Sequence, residues 1–122
     1  MKSKYGEYPE YHTSLDNLKK VVTPKGLNDG FNLIKIAIEV IERNCYPIIK
    51  VFGEPQLSKR GLYPTLSKAN STKKIKLMMN LMTWSDGKHS LLDIAELCNV
   101  PIWKLYPILE KLIDEKLIKL KK

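Results

Sequence analysis

Two histidines and two cysteines are the side chains best suited to ligate a metal or to act as nucleophiles. Their spacing decides what chemistry is open to them. Cys45 and Cys98 lie far apart, with no Cys-x-x-Cys or Cys-x-x-His spacing around either. Cys98 falls in an apolar helical pattern, which predicts a buried free thiol rather than a disulfide or structural zinc partner. His89 adjoins the turn Ser85-Asp86-Gly87-Lys88 and reads as a solvated turn residue. His12 lies in Glu7-Tyr8-Pro9-Glu10-Tyr11-His12-Thr13-Ser14-Leu15-Asp16-Asn17, denser in polar groups than a plain loop requires. On residue chemistry alone, a hydrogen-bonded surface histidine is the favoured reading. Metal-assisted hydrolysis needs several neutral His or carboxylate ligands converging on one ion. The chain holds no Ser/His/Asp set, no Cys/His pair and no glycine-rich phosphate loop. The expected catalytic residues are therefore none.

The elements that would position these residues follow from hydrophobic periodicity. An amphipathic helix is predicted over Leu27–Asn44, where Phe31, Ile34, Ile38 and Ile41 recur at spacings of three, four and three. Thr23-Pro24 is its entry signal. Residues 45–70 carry Pro47, Pro55, Pro64, Gly53 and Gly61. They predict one short strand, Ile48–Phe52, and then an extended arm that packs through Leu57, Leu62 and Tyr63. From Ser71 the pattern is helical through about Trp84, with Ile75, Met78, Met79 and Met82 on one side. Ser90 and Asp93 form a capping-box signature for a short helix over Leu91–Cys98 that places Leu92, Ala95 and Leu97 near the core. Asn99-Val100-Pro101 turns into a third helix reaching about Glu115, in which Pro107 should make a kink or leave a backbone acceptor unpaired, and Leu117–Leu120 has strand character. Helix, short helix, turn, longer helix and closing strand is the winged-helix order.

The net charge of +8 comes from 21 basic and 13 acidic residues. It divides evenly between residues 1–70 and 71–122, as a solubility property does and a nucleic-acid stripe does not. No run of about 18 apolar residues and no signal-peptide core is visible, so neither a membrane span nor secretion is expected, and cytoplasmic localisation is the default.

A DNA-reading winged helix presents base-contacting side chains from its third helix. Here that stretch, Pro101-Ile102-Trp103-Lys104-Leu105-Tyr106-Pro107-Ile108-Leu109, offers one Lys and no Arg, Asn or Gln. Trp103, Leu105, Leu109 and Leu112 are assigned mainly to the core, leaving Ile102, Tyr106 and Ile108 as an expected protein interface. In the competing reading, a small basic DNA-binding regulator, Lys104, Lys111 and Lys119 would make the nucleic-acid contacts.

Tyr11-His12-Thr13-Ser14-Leu15-Asp16-Asn17-Leu18 resembles the last metal-binding motif of bacterial zinc aminopeptidases of the leucyl-aminopeptidase type. It is similar, more closely, to bacterial aminopeptidase-like proteins labelled as polysaccharide-biosynthesis proteins. The resemblance continues through Gly53-Glu54-Pro55-Gln56-Leu57-Ser58-Lys59-Arg60-Gly61-Leu62-Tyr63-Pro64-Thr65-Leu66-Ser67. It ends with Asp86-Gly87-Lys88-His89 and Val100-Pro101-Ile102-Trp103-Lys104-Leu105-Tyr106-Pro107, and so covers essentially the whole chain. It implies that His12 is a zinc ligand and that the helix over 27–44 closes an α/β catalytic domain. The other ligands and the general-base Glu of such enzymes have no counterparts here, and one His cannot hold a catalytic zinc.

The expected fold class is α+β and mostly helical, a C-terminal winged helix-turn-helix preceded by a remnant of an α/β aminopeptidase-like domain. The expected divisions are 1–46 for the remnant, 47–70 for the connecting arm and 71–122 for the winged helix. The expected function is a non-catalytic C-terminal portion of a zinc aminopeptidase-like protein whose winged helix docks on a protein partner or a second copy. No cofactor is expected on its own, and zinc only where another chain completes the site and with it a peptidase activity. DNA is the disfavoured partner.

Overall fold

The computed structural model describes residues 4, 6–17, 21–53, 55–62 and 71–121 of the 122. The chain divides into two compact units, residues 1–42 and 43–122.

In the first unit, residues 6–17 form a series of turns. The helix α1 follows, running from Pro24 into the start of the second unit at Arg43. It begins three residues earlier than the apolar pattern predicts, because the Thr23 hydroxyl accepts a hydrogen bond from the Gly26 amide at 3.0 Å and caps the first turn. Pro24 then takes the first helical position, where no amide donor is needed. None of the residues of α1 is buried, and Phe31, Leu33, Ile34 and Ile41 are each more than half exposed.

The second unit is the winged helix. Its elements in chain order are β1 (Pro47–Ile49), a 3-10 turn (Leu57–Arg60), α2 (Ser71–Trp84), α3 (Leu91–Leu97), a second 3-10 turn (Ile102–Lys104), α4 (Tyr106–Asp114) and β2 (Ile118–Leu120). Its core joins Met78, Leu81 and Met82 of α2 to Leu91, Ile94 and Ala95 of α3, with Leu105 and the apolar side of α4. Leu81, Leu91, Ile94, Leu105, Leu112 and Leu117 are fully shielded from solvent. Each such burial stabilises the fold by about 1.5–3 kcal/mol before entropy is counted.

The wing is minimal. β2 pairs antiparallel with β1, Pro47 opposite Leu120 and Ile49 opposite Ile118. On its other side β1 meets the turn after α2: Ile48 bridges to Asp86, and the Ile49 amide donates to the Ser85 carbonyl at 2.7 Å. Gly87 is required in that turn. Its φ is +76°, and a Cβ there would lie 2.7 Å from Cγ1 of Ile48. The second unit thus takes in β1, which belonged to the connecting arm in the sequence reading. It also takes in Leu57, buried as expected, while Leu62 is half-buried and Tyr63 lies outside the described residues. Arg60 ties the Leu57 turn down by donating to the Glu115 carbonyl at 2.9 Å.

The third helix differs from expectation. Instead of one kinked helix from Pro101, the chain makes the 3-10 turn Ile102–Lys104, breaks at Leu105 and restarts as α4. Pro107 causes no kink. It occupies the first turn of α4, where its missing N–H goes unneeded. The helix closes at Lys116, whose φ of 56° lets the Leu117 amide reach back to the Leu112 carbonyl at 2.9 Å.

Candidate docking surface

The change from 3-10 turn to α4 reassigns which side chains face outward. Ile102, Tyr106 and Ile108, expected as the interface, are buried at 3%, 6% and 4% exposure. Trp103, expected in the core, is 54% exposed. The reason is geometric: a 3-10 turn advances three residues per turn rather than 3.6, so a phase drawn as one α-helix from Pro101 points its first residues the wrong way. Leu105, Leu109 and Leu112 are buried as expected. On α3, Leu92 and Leu97 face solvent, at 37% and 53% exposed, and only Ala95 of the expected three is in the core.

Trp103 opens onto a groove of about 820 Å³ between α2 and the start of α4. Lys73, Lys74 and Lys76 of α2 and Lys104 of the second 3-10 turn stand around it. Val100 and Pro107 form part of its apolar wall, with Cys98 beside them. Cys98 is a half-buried free thiol. Desolvation raises its pKa, partly opposed by a hydrogen bond with the Asn80 side chain, so it is a packing thiol rather than an activated one. Desolvation raises the pKa of Cys45 as well, against the lowering field of Arg43.

The side chains proposed for nucleic acid are spread over three elements, Lys104 on the second 3-10 turn, Lys111 on α4 and Lys119 on β2, all exposed. The exposed positions of α4 between them include Pro107, Glu110 and Asp114. Arg43 reaches this helix but is committed within the unit: its guanidinium lies 3.8 Å above the Tyr106 ring and 2.5 Å from the Glu110 carboxylate.

The histidines are held locally. The Asp86 carboxylate accepts the Lys88 amide at 2.7 Å and the His89 amide at 3.0 Å, and lies 3.1 Å from Nδ1 of His89. The His89 and Lys88 amides hold the Asp86 carboxyl well below the usual carboxylate range. This cluster is an Asx-type turn ahead of the Ser90–Asp93 capping box, whose reciprocal bonds measure 2.8 and 3.2 Å. In the first unit His12 is exposed, with a φ of 59° and its ring 4.2 Å from that of Tyr11. The same turns are braced by the Tyr8 hydroxyl, which donates to Asp16 at 3.1 Å. Among the described residues no three His, Cys, Asp or Glu side chains come together in a group able to hold a metal ion. His12 and its neighbours do not by themselves fit a zinc site, and no chemistry is derived through one. No helix among the described residues is long and apolar enough to cross a membrane.

A family model for the winged helix-turn-helix matches residues 43–120, the span of the second unit almost to its end. This chain belongs to that family. A model for a domain of unknown function matches residues 1–44. The chain is also similar to the C-terminal part of a Clostridium acetobutylicum protein described as a polysaccharide biosynthesis protein with an aminopeptidase-like domain, 39% identical over 97 residues. That match takes in 78% of this chain and 22% of the relative. A crystal structure from Clostridium acetobutylicum, described as a candidate peptidase, superposes with a TM-score of 0.82 at 33% identity over 99% of this chain and 26% of the other. The chain thus spans about a quarter of the length of these relatives, and the resemblance read from its motifs holds over both units.

Proposed function

We propose that this chain serves an aminopeptidase-like protein as its C-terminal docking module, with the winged helix contacting protein rather than DNA. The observation that carries this reading is the composition of the surface around α4. Its exposed positions set Pro107, Glu110 and Asp114 beside a single Lys111, its neighbouring Arg43 is engaged with Glu110 and Tyr106, and the exposed indole of Trp103 lines a groove with an apolar wall. Base readout relies mostly on Arg, Lys, Asn and Gln side chains, of which the 101–109 stretch offers Lys104 alone, and phosphate contact along α4 is opposed by Glu110 and Asp114. Exposed aromatic side chains beside apolar walls suit protein contact. The free thiols agree with a reducing, cytoplasmic setting.

The partner is another protein surface or a second copy of the chain, and α1 supplies further apolar area for such contact. The chain supplies no catalytic group of its own in this reading. Its one point of contact with zinc chemistry is His12, which acts as a ligand only where other residues complete the set.

Fluorescence anisotropy with random duplex DNA across a salt series tests the proposal. No binding is expected at low micromolar protein even at low salt. Binding that falls steeply with salt and weakens in Lys104→Ala and Lys111→Ala would replace docking with the regulator reading.

A further inference from the structure

We infer that the groove between α2 and the Ile102–Lys104 turn binds an acidic peptide segment of a partner protein, seating an apolar side chain of that segment against Trp103. This rests on the docking reading and names the partner's chemistry. Four ammonium groups, Lys73, Lys74, Lys76 and Lys104, stand around one groove, and none makes an ion pair among the described residues. The adjoining residues 63–70, YPTLSKAN, contain no carboxylate that could neutralise them. Three of the lysines sit in the first half of α2, which has no acidic residue in its first turn. Positive charge there opposes the helix dipole, so it is the arrangement an anionic partner would relieve.

The groove is not only basic. Val100, Pro107 and Trp103 give it an apolar wall, and Trp103 leaves more than half its surface in water. A stiff duplex gains nothing from a concave apolar wall, and a purely electrostatic site does not need one. A peptide alternating carboxylates with apolar side chains satisfies both features, with charges meeting the lysines and one anchor covering the indole. The groove volume of about 820 Å³ lies within the range of sites that enclose small ligands and anchor residues.

The test is a titration of the full chain with a short fluorescein-labelled peptide of alternating glutamate and leucine, read by anisotropy. Controls are an all-glutamate peptide, a lysine–leucine peptide and duplex DNA. The glutamate–leucine peptide is expected to bind saturably and to weaken with salt. K73E/K76E and Trp103→Ala should each weaken it about tenfold. Lys88→Glu, on the turn outside the groove, should leave it unchanged. All these positions are exposed, and matching circular dichroism melts confirm that each variant folds. No saturable binding, equal binding of the lysine–leucine peptide, or binding indifferent to K73E/K76E and Trp103→Ala would each overturn the inference. If the peptide fails and DNA also fails, docking by another face survives. If duplex DNA binds through the same lysines, both this inference and the docking proposal fall.

Discussion

Two amphipathic helices in this chain carry similar apolar patterns and meet opposite fates. α4 is 9 residues long and buries Tyr106, Ile108, Leu109 and Leu112. α1 is 20 residues long, with an apolar stripe at the same helical spacing, and buries none of its residues. The difference is not in the pattern but in what each helix's own unit brings to it. α4 packs against the second 3-10 turn and β2, and its buried side chains share a core with Leu81 of α2, Leu91 and Ile94 of α3, and Leu105. α1 is preceded by the polar turns of residues 6–17, which supply no comparable apolar surface. Amphipathicity therefore announces a face that favours cover, and only tertiary partners decide whether this chain provides it.

This comparison predicts a graded set of effects. The largest is Leu112→Ala, which empties a fully shielded site and should cost about 2–5 kcal/mol of the second unit's stability in urea unfolding. A loss below about 1 kcal/mol would mean that the α4 face is no better covered than that of α1. Next is Gly87→Ala, which sets a Cβ 2.7 Å from Ile48 at a φ of +76° and should cost about 1–3 kcal/mol in the same assay.

A smaller effect concerns acid. The His89 and Lys88 amides lower the pKa of Asp86, and the Ser90 amide and hydroxyl lower that of Asp93. A carboxyl with a depressed folded-state pKa adds stability above its unfolded value of about 4. That stability fades as pH falls from there through the folded value. Urea midpoints should therefore decline below about pH 4, and Asp86→Asn should shallow the decline. A variant as acid-sensitive as the parent would show that these hydrogen bonds do not persist in solution. The smallest effect is Ile34→Asp on α1, at a position 62% exposed. It should change the unfolding free energy of the second unit by no more than about 0.5 kcal/mol.

What was legible in the sequence was local. The Ser90–Asp93 capping box, the Thr23 cap and the span of α2 could all be read because their signals lie within a few residues of the bonds they make. The winged-helix order followed from those pieces. The candidate site was less legible. Assigning Ile102, Tyr106 and Ile108 outward and Trp103 inward assumed one continuous helix, and the Pro101 and Pro107 signals admitted a 3-10 turn followed by a restart. The groove itself is a tertiary product: Lys73, Lys74 and Lys76 fall within four residues of one another, but Lys104 and Trp103 join them only when α2 packs beside the start of α4. The pairing of β1 with β2 across some seventy residues had no local signal either. Its closest trace was Gly87, whose missing side chain makes room for Ile48.

Hydrogen–deuterium exchange of the whole chain, followed by mass spectrometry, most directly tests the claim that the winged helix covers its own helices while the first unit supplies no cover for the face of α1. Amides of α2, α3 and α4 are expected to exchange only through large-scale opening, and those of α1 at least about a hundredfold faster. Protection of α1 equal to that of α4 would contradict it, because the apolar face of α1 would then already be covered.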